Sequence, residues 1–163
     1  MEKQAAAVIA LAAGLPKKIS TMDFGGSLRV GTAALKAAID AIRAGSSKQV
    51  LVVVSDLRVP GAGSTFEQAL GDGAVAFLIG DSQVAAVAED FYSISDEMFD
   101  VWRAEDNTLR SAEERFALER GYLNILPQAV SGLMESSNLT PKDFAKAVFY
   151  GPNARRHGEM ARM

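Results

Sequence analysis

The apolar positions of this chain fall into blocks of different periodicity, and the differences predict its elements. Ala5 to Ala13 is apolar at every position, so a helix built from it is apolar on all sides, with Gly14 and Pro16 supplying the stop. Such a helix has to be covered on every face, which implies that something packs outside it. Ile19 to Phe24 reads as a short strand broken by Gly25-Gly26, and Thr32 to Ala44 reads as a second helix ended by Gly45. In that helix Ala33, Ala34, Ala37, Ala38 and Ala41 alternate with Leu35, Ile39 and Ile42, a pattern that permits close approach and deep burial. Val50 to Val54 is an unbroken β-branched run, the mark of a strand covered on both faces, as in a parallel sheet with helices on either side.

Leu57 to Gly63 is a loop, Ala74 to Ile79 a further buried strand, and Gln83 to Ala88 a strand beside it. Residues 90–112 are polar and irregular, with Tyr92, Phe99 and Trp102 interspersed, and read as a long connection between two structural halves. Glu113 to Ser136 is helical, with Pro127 expected to break or kink it. Thr140 followed by Pro141 signals a helix start. Ala147 to Tyr150 is a short strand, Gly151-Pro152 a turn, and Asn153 the cap of a last helix. The alternation of helices and strands predicts an α/β fold with a mixed, mostly parallel sheet and buried helices.

Composition narrows the chemistry. The 163 residues suffice for a real core, and 48% hydrophobic with 23% charged residues is ordinary for a soluble globular chain. A net charge of −3 without a Lys/Arg stripe argues against nucleic acid. Arg155, Arg156 and Arg162 read as a solvated helix face first and an anion site second. With no cysteine and one histidine, disulfides, a cysteine nucleophile, thiolate zinc sites and multi-histidine metal sites are excluded. The longest apolar stretch, Ala5 to Leu15, is too short to span a membrane, and the first four residues lack a signal-peptide layout, so the expected location is cytoplasmic.

Three segments in order carry a family resemblance. Asp23-Phe24-Gly25-Gly26-Ser27-Leu28-Arg29-Val30-Gly31-Thr32-Ala33-Ala34-Leu35 resembles the nucleophile turn of hydroxymethylglutaryl-CoA synthases and ketoacyl synthase III enzymes, where a Cys opens a buried helix ahead of a Gly-Thr-x-Ala-Leu run. Glu67-Gln68-Ala69-Leu70-Gly71-Asp72-Gly73-Ala74 is similar to the Gly-Asp-Gly-Ala segment before a core strand. Val148-Phe149-Tyr150-Gly151-Pro152-Asn153 is similar to the Phe-His-x-Pro segment whose His is catalytic. The resemblance implies a partial thiolase fold, with residues 1–90 as the later part of the first half and 91–163 as linker and start of the second half. It implies a coenzyme A thioester as substrate, no separate cofactor, a homodimer, and an OB-fold and zinc-ribbon partner protein of the kind some relatives use.

The departures from the family pattern set the chemistry that remains. Counting back from Leu35, the nucleophile position falls on Leu28, which has no lone pair to attack a thioester; it is either a core residue or the apolar floor of an acyl pocket. The His position holds Tyr150, which resemblance places facing residue 28 from the second half. Its hydroxyl is able to donate a hydrogen bond to a carbonyl oxygen gaining charge, while the plain reading is a strand-end tyrosine. These substitutions imply non-covalent aldol, retro-aldol or Claisen-type carbon–carbon chemistry; the competing reading is a non-catalytic subunit or fragment that keeps the fold and binds a partner. Ser27 has no base to activate it and reads as a turn serine; Arg29, Gly151 and Asn153 are candidate contacts to substrate, each with a structural alternative. Asp72 reads as a loop hydrogen-bonder, Glu67 as a buried carboxylate with a structural partner, and His157 as exposed. No glycine cluster matches a dinucleotide or P-loop fingerprint.

Overall fold

The computed structural model describes residues 3–149 together with His157, Gly158 and Arg162. Tyr150, Gly151 and Asn153 lie outside the described residues, as does the expected cap of a last helix. The described residues form two compact units: those up to Asp56 with Gly73–Val87, and Leu57–Asp72 with those from Ala88 onward.

The first unit opens with α1 (Ala5–Ala12), which has no buried residue. Gly14, at a φ of 69°, turns the chain back on it. The carboxylate of Asp23 accepts the Ala5 and Ala6 N–H groups at 2.7 and 2.8 Å, so the helix start is capped from a later segment. Thr21 and Gln4 add a reciprocal pair of hydrogen bonds. The strand expected at Ile19 to Phe24 does not form: these residues serve as a brace for α1 and pair with no strand.

Helix α2 (Val30–Arg43) packs against β1 (Gln49–Asp56) and β2 (Gly73–Gly80). Contact is close where a Cβ on Gly31 would lie 3.4 Å from a Val54 methyl. Val52 is 6% exposed, and its pairing with Phe77, flanked by Val50 with Ile79 and Val54 with Val75, defines the face toward α2. Leu51 paired with Leu78 and Val53 with Ala76 make the opposite face, where Leu78 is 67% exposed.

The strands β1 and β2 are antiparallel, which corrects the expectation of a mostly parallel sheet. An unbroken apolar run reports that both faces suit cover; it carries no information on strand direction. The intervening residues hold only the five-residue α3 (Thr65–Ala69), short for the crossover helix a parallel return needs. Gln83 to Ala88 forms no strand, and Ala38 is the one buried residue of α2.

In the second unit the irregular connection contains a hairpin, β3 (Val101–Arg103) with β4 (Leu109–Ser111), again antiparallel. Its turn is held by Asp106, whose carboxylate accepts the Thr108 N–H at 3.0 Å and hydroxyl at 2.5 Å; these bonds hold its carboxyl below the usual range. Asn107 takes the left-handed conformation that such a turn needs. Leu109 is buried, and its N–H donates to the Val59 carbonyl at 3.1 Å.

A helical rod follows: α4 (Glu114–Phe116), a π-turn (Ala117–Tyr122) and α5 (Leu123–Ser137). Glu113 caps it, accepting the Arg115 and Phe116 N–H groups at 3.0 and 2.9 Å, which lowers its carboxyl pKa. The rod continues through Pro127, so of the break or kink expected there the break does not occur. The carbonyl a proline frees is four residues earlier, at Leu123, the first residue beyond the π-turn, where the hydrogen-bond ladder already changes register. Asn138, at a φ of 53°, ends α5. Thr140, the expected cap, forms a capping box with Asp143, but only a 3₁₀ turn, Pro141–Asp143, follows where a helix was expected to start. Residues 147–149 form no strand.

Candidate functional site

The candidate site starts at the entrance to α2. Gly26 has a φ of 85°, which a residue with a side chain adopts only with strain, and it lets the chain swing from the Asp23 brace into the helix. Ser27 then closes a tight turn: its hydroxyl accepts the Arg29 N–H at 3.2 Å and its carbonyl accepts the Val30 N–H at 3.3 Å. Arg29 occupies the N-cap position without capping through its side chain, and its carbonyl accepts from the Thr32 hydroxyl and the Ala33 N–H, both at 3.0 Å. No acidic residue stands in the first turn. The positive end of the α2 dipole therefore meets no carboxylate of its own first turn.

Leu28 projects at this entrance with 62% of its surface exposed. In the chain by itself it is thus no core residue. Of the other predicted site residues, Ser27 and Arg29 stand beside it along the chain, while Tyr150, Gly151 and Asn153 lie outside the described residues. His157 is exposed, its ring 6.5 Å from that of Phe149, centroid to centroid.

The loop of the second unit has its own polar set. Asp72 accepts the Arg58 N–H at 3.0 Å, tying the two ends of the loop, as suits a loop hydrogen-bonder. Glu67 accepts the Gly63 N–H at 2.7 Å and is exposed, which corrects its reading as a buried carboxylate. The hydroxyl of Ser64 is buried with no hydrogen-bond partner among the described residues. Ser64 and Glu67 have the Ser-x-x-Glu spacing of a capping box, a signal absent from the sequence-based expectations; here the Glu67 carboxylate accepts from Gly63 rather than from Ser64, and the Glu67 N–H donates to the Ser64 carbonyl at 3.1 Å rather than to its hydroxyl, so neither bond of the box forms. Among the described residues no group of acidic or histidine side chains is placed to hold a metal ion. Nor is any helix among them long and apolar enough to cross a membrane.

Comparison with known proteins converges on one family. No family profile matches the chain. The hydroxymethylglutaryl-CoA synthase of Methanosarcina mazei is 30% identical to it over 163 residues, which cover 99% of this chain and 47% of that enzyme. The synthase of Pyrococcus horikoshii is 33% identical over the same shares. The chain thus spans about half the length of the curated relatives it matches. A solved hydroxymethylglutaryl-CoA synthase complexed with coenzyme A superposes with a TM-score of 0.77 at 22% identity, over 89% of this chain and 37% of that one. A second, solved with 3-hydroxy-3-methylglutaryl coenzyme A, gives 0.73 at 26% over 90% and 36%.

The fold is therefore part of a thiolase-like fold, and the two antiparallel ladders are local pieces of it. Within that class the chain is similar to hydroxymethylglutaryl-CoA synthases and matches about half the length of each.

Proposed function

We propose that this chain supplies part of an acyl-CoA site and handles the thioester without forming an acyl-enzyme on its own residues. The reading rests on one observation: similarity to hydroxymethylglutaryl-CoA synthases runs through nearly the whole chain, yet the position assigned to their Cys is Leu28. With no cysteine among the 163 residues, no acyl-cysteine forms here. What the α2 entrance retains is amide N–H groups and a positive dipole end suited to an oxyanion, beside an exposed apolar side chain suited to an acyl group. In this reading Tyr150 donates a hydrogen bond to the carbonyl that gains charge as a carbon–carbon bond forms or breaks. Ser27, Arg29, Gly151 and Asn153 line the substrate. A cytoplasmic location, a homodimer and an OB-fold and zinc-ribbon partner belong to the same reading.

A second reading, a non-catalytic subunit that keeps the fold and holds a partner, draws on the paired replacement at positions 28 and 150. Titration calorimetry with acetyl-CoA separates the two. The first expects saturable heat, and Tyr150→Phe to lower turnover while leaving affinity near its original value. Absence of binding by the folded, assembled protein removes it.

Leu28→Cys tests the entrance itself against a clean background. A thiol beside Arg29 and the start of α2 is expected to have a pKa below the ordinary 8.5 or so. Iodoacetamide should alkylate it at pH 7 roughly five to ten times faster than a cysteine placed at Ala44, the opposite end of the same helix. Equal rates would mean that the entrance exerts no such field.

A further inference from the structure

The rod from Glu114 to Ser137 has a single fault, the π-turn, and an extended segment lies along it like a splint. Residues 88–99 form neither strand nor helix. Near one end Asp90 accepts the Ser137 hydroxyl, and Tyr92 sits where a Cβ on Gly132 would have to be. Toward the other end the Met98 thioether occupies the corresponding space at Gly121, about three helical turns away. Asp100 closes the segment with two bonds that reach opposite sides of the fault. Its backbone carbonyl accepts the Ala112 N–H at 2.8 Å, before the rod begins. Its carboxylate accepts the Tyr122 hydroxyl at 2.9 Å, where the π-turn ends.

A π-turn holds one residue more per turn than an α-turn. Relaxing it to α-helix with α5 fixed swings everything before the fault by about 100° around the rod axis and shifts it by about 1.5 Å. That rotation would carry Ala112 away from Tyr122, so a single residue bonded to both opposes it. We propose that Ala117–Tyr122 is a two-register element and that Asp100, through Tyr122 on one side and Ala112 on the other, latches it in the π register. Releasing the latch turns α4, with Arg115 and the half-exposed Phe116, to a new side of the rod. Met98 in the Gly121 notch is the second catch: an added methyl there would push the thioether out.

The absence of native cysteine makes the test direct. Spin labels on Glu114→Cys and Ser131→Cys report the distance across the fault in the full chain. The unaltered latch is expected to give one distance. Tyr122→Phe, which removes the hydroxyl and little else, is expected to add a second distance population, as is Gly121→Ala. Asp100→Asn, which keeps an acceptor oxygen, is expected to hold mostly the original distance. Amide exchange over residues 114–123, read on the same variants, should stay protected in both registers. An unchanged single distance in Tyr122→Phe overturns the proposal. So does loss of protection across 114–123, because melting is not a change of register.

Discussion

The two units of this chain solve the problem of staying folded in opposite ways. The first is made of regular elements whose apolar surface exceeds what they cover: β1 and β2 are apolar on both faces, α1 is apolar all round, and few of these side chains are buried. The second has shorter and more irregular elements, held by carboxylates that cap backbone N–H groups or accept hydroxyls: Asp90, Asp100, Asp106, Glu113 and Asp143. Strong periodicity builds elements, whereas position-specific polar bonds and glycine notches fix where an irregular chain lies. A region rich in the first and poor in the second has elements without a finished core.

The largest expected effect comes from a notch. At an exposed helical site, Gly→Ala stabilises by roughly 1 kcal/mol. Gly132→Ala instead drives a methyl into the Tyr92 ring and should destabilise by about 1–3 kcal/mol, seen as a lower urea midpoint. Adding Tyr92→Ala should restore much of that loss; if the single change stabilises, the extended segment does not pack on α5 in solution.

The sheet gives the next test. Val52→Ala, on the face toward α2, should cost about 1–2 kcal/mol, and Leu78→Ala, on the open face, less than about 1 kcal/mol. Equal costs would show that the open face is covered in the protein as prepared.

The smallest effect is electrostatic. Glu113, Asp106 and Asp143 all have carboxyl pKa values lowered by hydrogen bonds to their ionised forms. A lowered folded pKa favours the ionised form in the folded state. Its stabilisation is therefore complete above the unfolded values, near 4 to 4.5, and is lost as pH falls through the folded ones. Below about pH 4 the caps of the second unit should loosen. Glu113→Gln should flatten that dependence for the amides of Arg115 and Phe116, followed by exchange, with a shift in melting temperature under about 4 °C.

How much the sequence revealed follows the same division. The apolar blocks placed α1, α2, β1, β2 and the long rod within a few residues, because burial preference is written in every position of a periodic segment. Three expected strands, at Ile19 to Phe24, Gln83 to Ala88 and Ala147 to Tyr150, failed among their described residues. Short apolar runs do not distinguish a strand from a brace whose key residue is polar, as Asp23 is for α1. The π-turn left no periodic trace, and Pro127 drew attention to the wrong place along the rod. At the candidate site a motif led to Leu28 as a candidate, and the structure places that residue just ahead of the helix Val30–Arg43. The splint escaped notice, since Gly121, Gly132 and their partners are far apart in the chain and only proximity relates them.

The pairing of β1 with β2 carries one more consequence. In most sheets with one wet side, sliding a strand by one residue exposes oily side chains and buries charged ones, and that penalty enforces alignment. Here the slide would exchange Val52 for Leu51 or Val53, and Phe77 for Ala76 or Leu78. One greasy surface replaces another, so the interior of the ladder is nearly blind to the error. Alignment then falls to the margins: Gln49 opposite Gly80, Asp56 opposite Gly73, and the close seat of Gly31 against Val54. Substitutions at those margins, more than in the middle, should decide whether the two strands meet in phase.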